Sequence, residues 1–169
     1  VSKARSIDGL RWAKVLAQKP GCIPNSRPRA GAKAMGLRYE RVLAKALPMA
    51  KHGQWFEFED KYGRGFCQVD LMLEMPRGIL ILEAKYTWVP EGHCQIEGLY
   101  SPVVEMALGK PCKGMVVCKK LIPGMPRELE IVSDLESGAR ALASGNRVVL
   151  HWLGNCQLLV DYNKLSKAA

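Results

Sequence analysis

From Gly53 to Trp88 the apolar residues alternate with polar ones, and two short turn sequences, Gly63-Arg64-Gly65 and Pro76-Arg77-Gly78, cut the alternation. Period two sends successive side chains to opposite faces of a strand. Turns this short, built on Gly and Pro, join neighbours that run antiparallel. The pattern predicts strands at Trp55–Tyr62, Phe66–Met75 and Ile79–Trp88, laid side by side as a meander. With Pro76 and Arg77 as the loop and Met75 facing Gly78, counting outward sets Asp70 directly across from Glu83. A one-residue bulge would shift it to Ala84, still adjacent.

That register matters because of three charges on an otherwise apolar stretch. Asp70 is followed after twelve residues by Glu83-Ala84-Lys85. Unpaired charges in such surroundings cost several kcal/mol, roughly, so the chain must have a use for them. Alternation puts Glu83 and Lys85 on one face, and the register brings Asp70 to the same patch. Mg²⁺ is a hard ion that takes oxygen ligands and keeps several waters. Asp70 and Glu83 would supply carboxylates to Mg²⁺ or Mn²⁺, and Ala84 a backbone carbonyl. A metal so held acidifies a water and neutralises charge growing on a phosphate, while Lys85 orients that water or stabilises the anion. The pattern points to a metal site for cutting phosphodiesters.

Around the meander the spacing predicts a helix over 6–18 (Ile7, Leu10, Val15, Leu16) stopped by Pro20-Gly21, and a second from about Ala32 to Ala50. The apolar residues of the second are Leu37, Val42, Leu43 and Leu47, with Pro48 bending or ending it. A helix from about Glu91 to Leu108, a strand at Gly114–Cys118, a helix near Asp134–Ala143 and strands at Arg147–Leu153 and Cys156–Val160 follow. The order gives an α/β (α+β) protein with a mixed central sheet flanked by helices. At 169 residues the chain suits one domain: a basic helical extension (1–30), a catalytic core (31–120) and a C-terminal part (121–169) that completes the sheet.

The net charge of +9 is unevenly shared, since residues 1–52 hold 12 of the 25 basic residues but 2 of the 16 acids. A basic lobe beside acidic catalytic groups suits a polyanion held next to a metal, so DNA is the expected partner. The segment from Asn25 to Lys33 reads as a loop between helices, with Arg27, Arg29 and Lys33 on phosphates. Arg38 and Arg41 extend that surface along the following helix, and Gln95 faces the substrate from the helix after the sheet.

These residues resemble the PD-(D/E)xK nuclease superfamily, whose signature is an acid ending one strand and (Asp/Glu)-x-Lys on the next. Val69-Asp70 and Glu83-Ala84-Lys85 fit it, with Val69 where the name has proline. The resemblance implies a restriction-endonuclease-like αβββαβ core, which the order from Ala32 to Cys118 follows, about half the chain. It also implies a metal-assisting Glu on the helix before the sheet, matched by Glu40 in Gly36-Leu37-Arg38-Tyr39-Glu40-Arg41-Val42-Leu43. That stretch is similar to archaeal Holliday-junction resolvases. RecB-type nucleases add Gln-x-x-x-Tyr after the Lys; here Gln95 and Tyr100 stand one residue further apart, and on a straight α-helix they diverge by about 140°.

Other motifs are thin. The six cysteines form no C-x-x-C pair and read as buried thiols. His52, His93 and His151 lack zinc spacing, with His93 the one near the site. Trp12, Trp55, Trp88 and Trp152 read mainly as core, Trp88 being the best placed to stack on a base. Neither a phosphate-binding Gly-rich loop nor a serine-hydrolase elbow is present. Apolar runs stop short of a membrane span and no signal core opens the chain, so the expected location is the cytoplasm, a host's if the source is viral. The reading is thus a Mg²⁺- or Mn²⁺-dependent deoxyribonuclease selecting DNA structure or ends in replication, recombination or repair. Its rivals are a non-cutting DNA-binding module on the same fold and an RNA nuclease. Pairing of two chains as a homodimer is left open.

Overall fold

The computed structural model describes residues 5–25, 30–155, 158 and 160–168. In chain order the elements are β1 (Trp12–Leu16), α1 (Ala32–Ala46), β2 (Lys51–Asp60), β3 (Gly63–Met75) and β4 (Gly78–Thr87). There follow α2 (Glu91–Gln95), a π-helical segment at Ile96–Tyr100 that runs on into α3 (Ser101–Leu108), and β5 (Cys112–Lys120). The chain closes with β6 (Leu129–Val132), α4 (Leu135–Ala143), β7 (Arg147–His151) and α5 (Tyr162–Ala168).

One seven-stranded sheet carries them all, in the order β1-β2-β3-β4-β5-β7-β6. The first four strands pair antiparallel and the remaining pairs are parallel, so the sheet is mixed and the protein α+β. The turn reading sets the β3–β4 register correctly: Met75 faces Gly78 and Leu71 faces Leu82, which leaves Asp70 and Glu83 as the next opposed pair.

Each face of the sheet has its own core. On one, Leu71, Leu73, Leu80, Leu82, Met115, Val117 and Leu150 pack under α1, α4 and α5 through Tyr39, Leu43, Leu47, Ala139, Leu142 and Leu165. On the other, Phe56, Phe58, Val69, Ile79, Ile81 and Val116 meet Ile96, Leu99, Val103 and Val104 of the long helical run. Burying one Leu, Ile or Phe side chain is worth about 1.5–3 kcal/mol, which is why the apolar alternation outweighs local propensity here.

The helix expected over 6–18 is absent. Residues 12–16 are instead an edge strand paired with β2, from Trp12↔Glu59 to Leu16↔Trp55. The reason is the partner: an unpaired β2 edge would leave a row of backbone donors and acceptors open. Extension also lets Trp12 Nε1 donate to Glu59 (2.6 Å) and Lys14 reach Glu57 (3.0 Å). The basic extension is therefore strand, not helix, and the segment after it joins a strand to α1. Helix α1 ends at Ala46, four residues early, where Pro48 cannot continue it. Strand β6 and helix α5 were not legible, and the strand expected at Cys156–Val160 has Cys156, Gln157 and Leu159 outside the described residues. Among the described residues no helix is long and apolar enough to cross a membrane.

Candidate functional site

Strand β3 turns over at Asp70. Val69 belongs to the core under α3, whereas Leu71, two residues on, belongs to the core under α1. Strict alternation would put both on one face. On the neighbouring strand Gly53 stands where a partner for Asp70 would be, and the pairing skips it: Gln54↔Val69 is followed by His52↔Leu71. Gly53 has φ +67°, and a Cβ there would lie 2.8 Å from Gln68 Nε2. A left-handed glycine thus breaks the ladder on one side of Asp70. On the other side the β3–β4 pairing stops at Leu71↔Leu82.

The opened ladder is filled by a side chain. Asp70 Oδ2 accepts from the Ala84 amide at 2.9 Å, taking a donor that strand pairing would otherwise use. In a strand the N–H and C=O of one residue point to the same edge, so the Ala84 carbonyl is also directed toward the gap beside Asp70. Glu83 is 2% exposed and Asp70 is half-buried. Burial and the neighbouring Glu83 push the Asp70 carboxyl well above its usual range, and burial likewise raises Glu83, with Lys85 opposing the shift. Glu83 Oε1 accepts from Lys85 Nζ at 2.7 Å, while Glu83 Oε2 is buried and has no partner. Two buried carboxyl groups this close, with one oxygen lacking a donor group, are a costly arrangement that a shared proton or a cation relieves.

Lys85 is held on its other side by Gln95 Oε1 at 2.8 Å. Helix α2 can come that close because Gly92 sits against the sheet: a Cβ there would lie 2.8 Å from Val116 Cγ2 and 3.6 Å from Lys85 Cε. The expectation that Gln95 and Tyr100 diverge is overturned by the π-helical segment between them. Its i→i+5 bonding, seen in Ser101 N donating to Ile96 O, gives residues five apart the relation that residues four apart have on an α-helix. Tyr100 is buried, and burial above all, with the charges of Glu83 and Asp70 adding to it, raises its hydroxyl pKa. Straight-helix geometry hid Tyr100; its spacing from Gln95 was the signal.

Glu40 of α1 is close enough for its charge to raise both Asp70 and Glu83, but its Oε1 is bonded to His52 Nε2 at 2.8 Å. His52, taken as an ordinary residue, therefore orients the third acid. Among the described residues no three His, Cys, Asp or Glu side chains converge as a metal-holding group. The donors brought together are two carboxylates and a carbonyl edge, with Glu40 further out. Trp88 is 3% exposed and packs beside His93, which is buried too, so neither meets a base. Lys33, Arg38 and Arg41 are exposed on α1, and Arg27 and Arg29 lie outside the described residues. Of the six cysteines expected to be buried thiols, Cys67, Cys112 and Cys118 are buried, Cys22 and Cys94 are exposed because they lie on a loop and on the outer side of α2, and Cys156 lies outside the described residues.

In comparison with known proteins, the chain matches no family model, no curated protein and no solved structure.

Proposed function

We propose that this chain is a divalent-cation-dependent DNA nuclease with a restriction-endonuclease-like core of the PD-(D/E)xK type, selecting DNA structure or ends. The observation that carries the reading is the orphaned, buried Glu83 Oε2 next to Asp70, with Lys85 fixed two residues away. Asp70, Glu83 and the Ala84 carbonyl would hold Mg²⁺ or Mn²⁺, with Glu40 reaching in through water. When bound, the ion would lower the pKa of a water and neutralise charge on the scissile phosphate.

The chain's own groups set the rest. Lys85 has three donors, of which two are spent on Glu83 and Gln95. The third is left to hold the attacking water or the developing anion. Gln95 fixes the ammonium without neutralising it, and the buried Tyr100 hydroxyl lies within the field of both carboxylates. The exposed cations of α1 hold the backbone of the polyanion.

The test is a cleavage panel of plasmid, linear and branched DNA, with RNA alongside, in Mg²⁺, Mn²⁺ and chelator. Asp70→Asn and Lys85→Ala are each expected to lose cutting by about 10²–10³-fold while DNA binding persists. Cleavage by both variants at the wild-type rate overturns the assignment.

A further inference from the structure

On the face of β4 opposite Glu83 and Lys85 lies a second feature that the nuclease reading does not use. A groove of about 300 Å³ is lined by Met35, Arg38, Val42, Tyr86, Lys119 and Leu153. It opens where β4, β5 and β7 end, at the carboxyl edge of the parallel strands, the usual place for a ligand crevice. Its apolar floor is open: Met35 is 41% exposed, Val42 42% and Leu153 49%. Val42 was expected to face the core, and its exposure has no packing explanation.

The rim is basic. Lys119 and Lys120 hold their ammoniums 5.6 and 5.3 Å from the centre of the Tyr86 ring, and Arg38 stands across from them on α1. Among the described residues none of these three cations pairs with a carboxylate, and no acid lines the groove. Two adjacent lysines on one ring, left without an anion, favour an anionic occupant. The volume is at the small end for sites that hold small organic molecules, enough for one nucleoside and not for a duplex.

We infer that the groove takes one unpaired nucleotide of a DNA strand, its base against Met35, Val42 and Leu153 and its flanking phosphates on Arg38, Lys119 and Lys120. The occupant's identity as DNA rests on the nuclease reading, but its binding is measured without any cutting. A duplex with a short single-stranded overhang and a blunt duplex of equal length are titrated in chelator, with fluorescence anisotropy as the readout. Burying one base in such a site is expected to make the overhang bind about tenfold tighter.

Leu153→Asp and, separately, Met35→Ser should bring that ratio close to one while blunt-duplex binding stays. Both residues are exposed, so the variants should fold, and an unchanged melting temperature checks it. Equal binding of the two duplexes, a ratio that survives Leu153→Asp, or displacement of the overhang by poly-glutamate as readily as by oligothymidylate overturns the inference. A protein that shows the ratio but never cuts in Mg²⁺ or Mn²⁺ keeps the groove and loses the nuclease. One that cuts without the ratio does the reverse.

Discussion

At the scale of single residues, Glu83 carries the site's tension. It is buried with one oxygen on Lys85 and the other facing a second acid, Asp70, with no donor group of its own. Glu83→Gln removes a charge from that pair and gives the buried end a donor. In chelator its melting temperature is expected to rise by about 2–8 °C, the equivalent of ~1–2 kcal/mol in a chain of this size. The same variant should lose the increase that Mg²⁺ or Mn²⁺ gives the wild type, as calorimetry in each buffer would show. A melting temperature that falls in chelator would make Glu83 a structural partner of Lys85. Tyr100→Phe keeps the ring in its core and removes only the hydroxyl near the carboxylates. Cutting should fall about tenfold or more with the melting temperature within ~3 °C of wild type, a split that stopped-time gels and a melt resolve together.

At the scale of elements, strand alternation and turn chemistry were enough to place the meander and to set Asp70 across from Glu83, because a buried face specifies register strongly. Local sequence could not show the reversal of face between Val69 and Leu71, since it depends on Gly53 in the neighbouring strand. Nor could it show the extended form of residues 12–16, whose stability comes from β2 rather than from their own spacing. The π-helical segment escaped for a related reason. It frees backbone carbonyls, and Gly98 O is taken up by the Ile7 amide at 2.8 Å, a contact across most of the first hundred residues. Tertiary partners decide each of these, and the reversal at Asp70 and the π-helical segment both lie at the candidate site. Gly53 makes the point testable. An L-residue at φ +67° costs about 1–2 kcal/mol, so Gly53→Ala should lower the melting temperature by several degrees and, by disturbing Asp70, reduce cutting further than the lost stability accounts for. Activity that simply tracks the folded fraction would separate the glycine from the site.

At the scale of the whole molecule, the basic surplus of the first third divides by role. Arg5 pairs with the buried Asp60, Arg11 with Glu59 and Lys14 with the buried Glu57, so the cations flanking β1 fasten the edge strand to β2. Arg5 holds the Asp60 carboxyl below its usual value. A depressed folded pKa contributes stability that is present above the unfolded carboxyl value of about 3.8 and is lost as pH falls through the folded value. Asp60→Asn should therefore be less stable at pH 7, with its deficit shrinking in acid melts below pH 4. The cations of α1 behave differently: among the described residues Arg38 and Arg41 pair with no carboxylate. Each phosphate contact adds about 0.9 to the slope of log affinity against log salt on duplex DNA. Replacing Arg38 and Arg41 with Gln together should thus flatten that slope by about 2 and leave the melting temperature near wild type. Replacing Arg11 and Lys14 should do the opposite, lowering the melting temperature with the slope unchanged. Binding isotherms at four or more salt concentrations decide between them. A slope that follows the β1 cations rather than those of α1 would move the DNA to the other edge of the sheet, away from the carboxylates, and the nuclease reading would go with it.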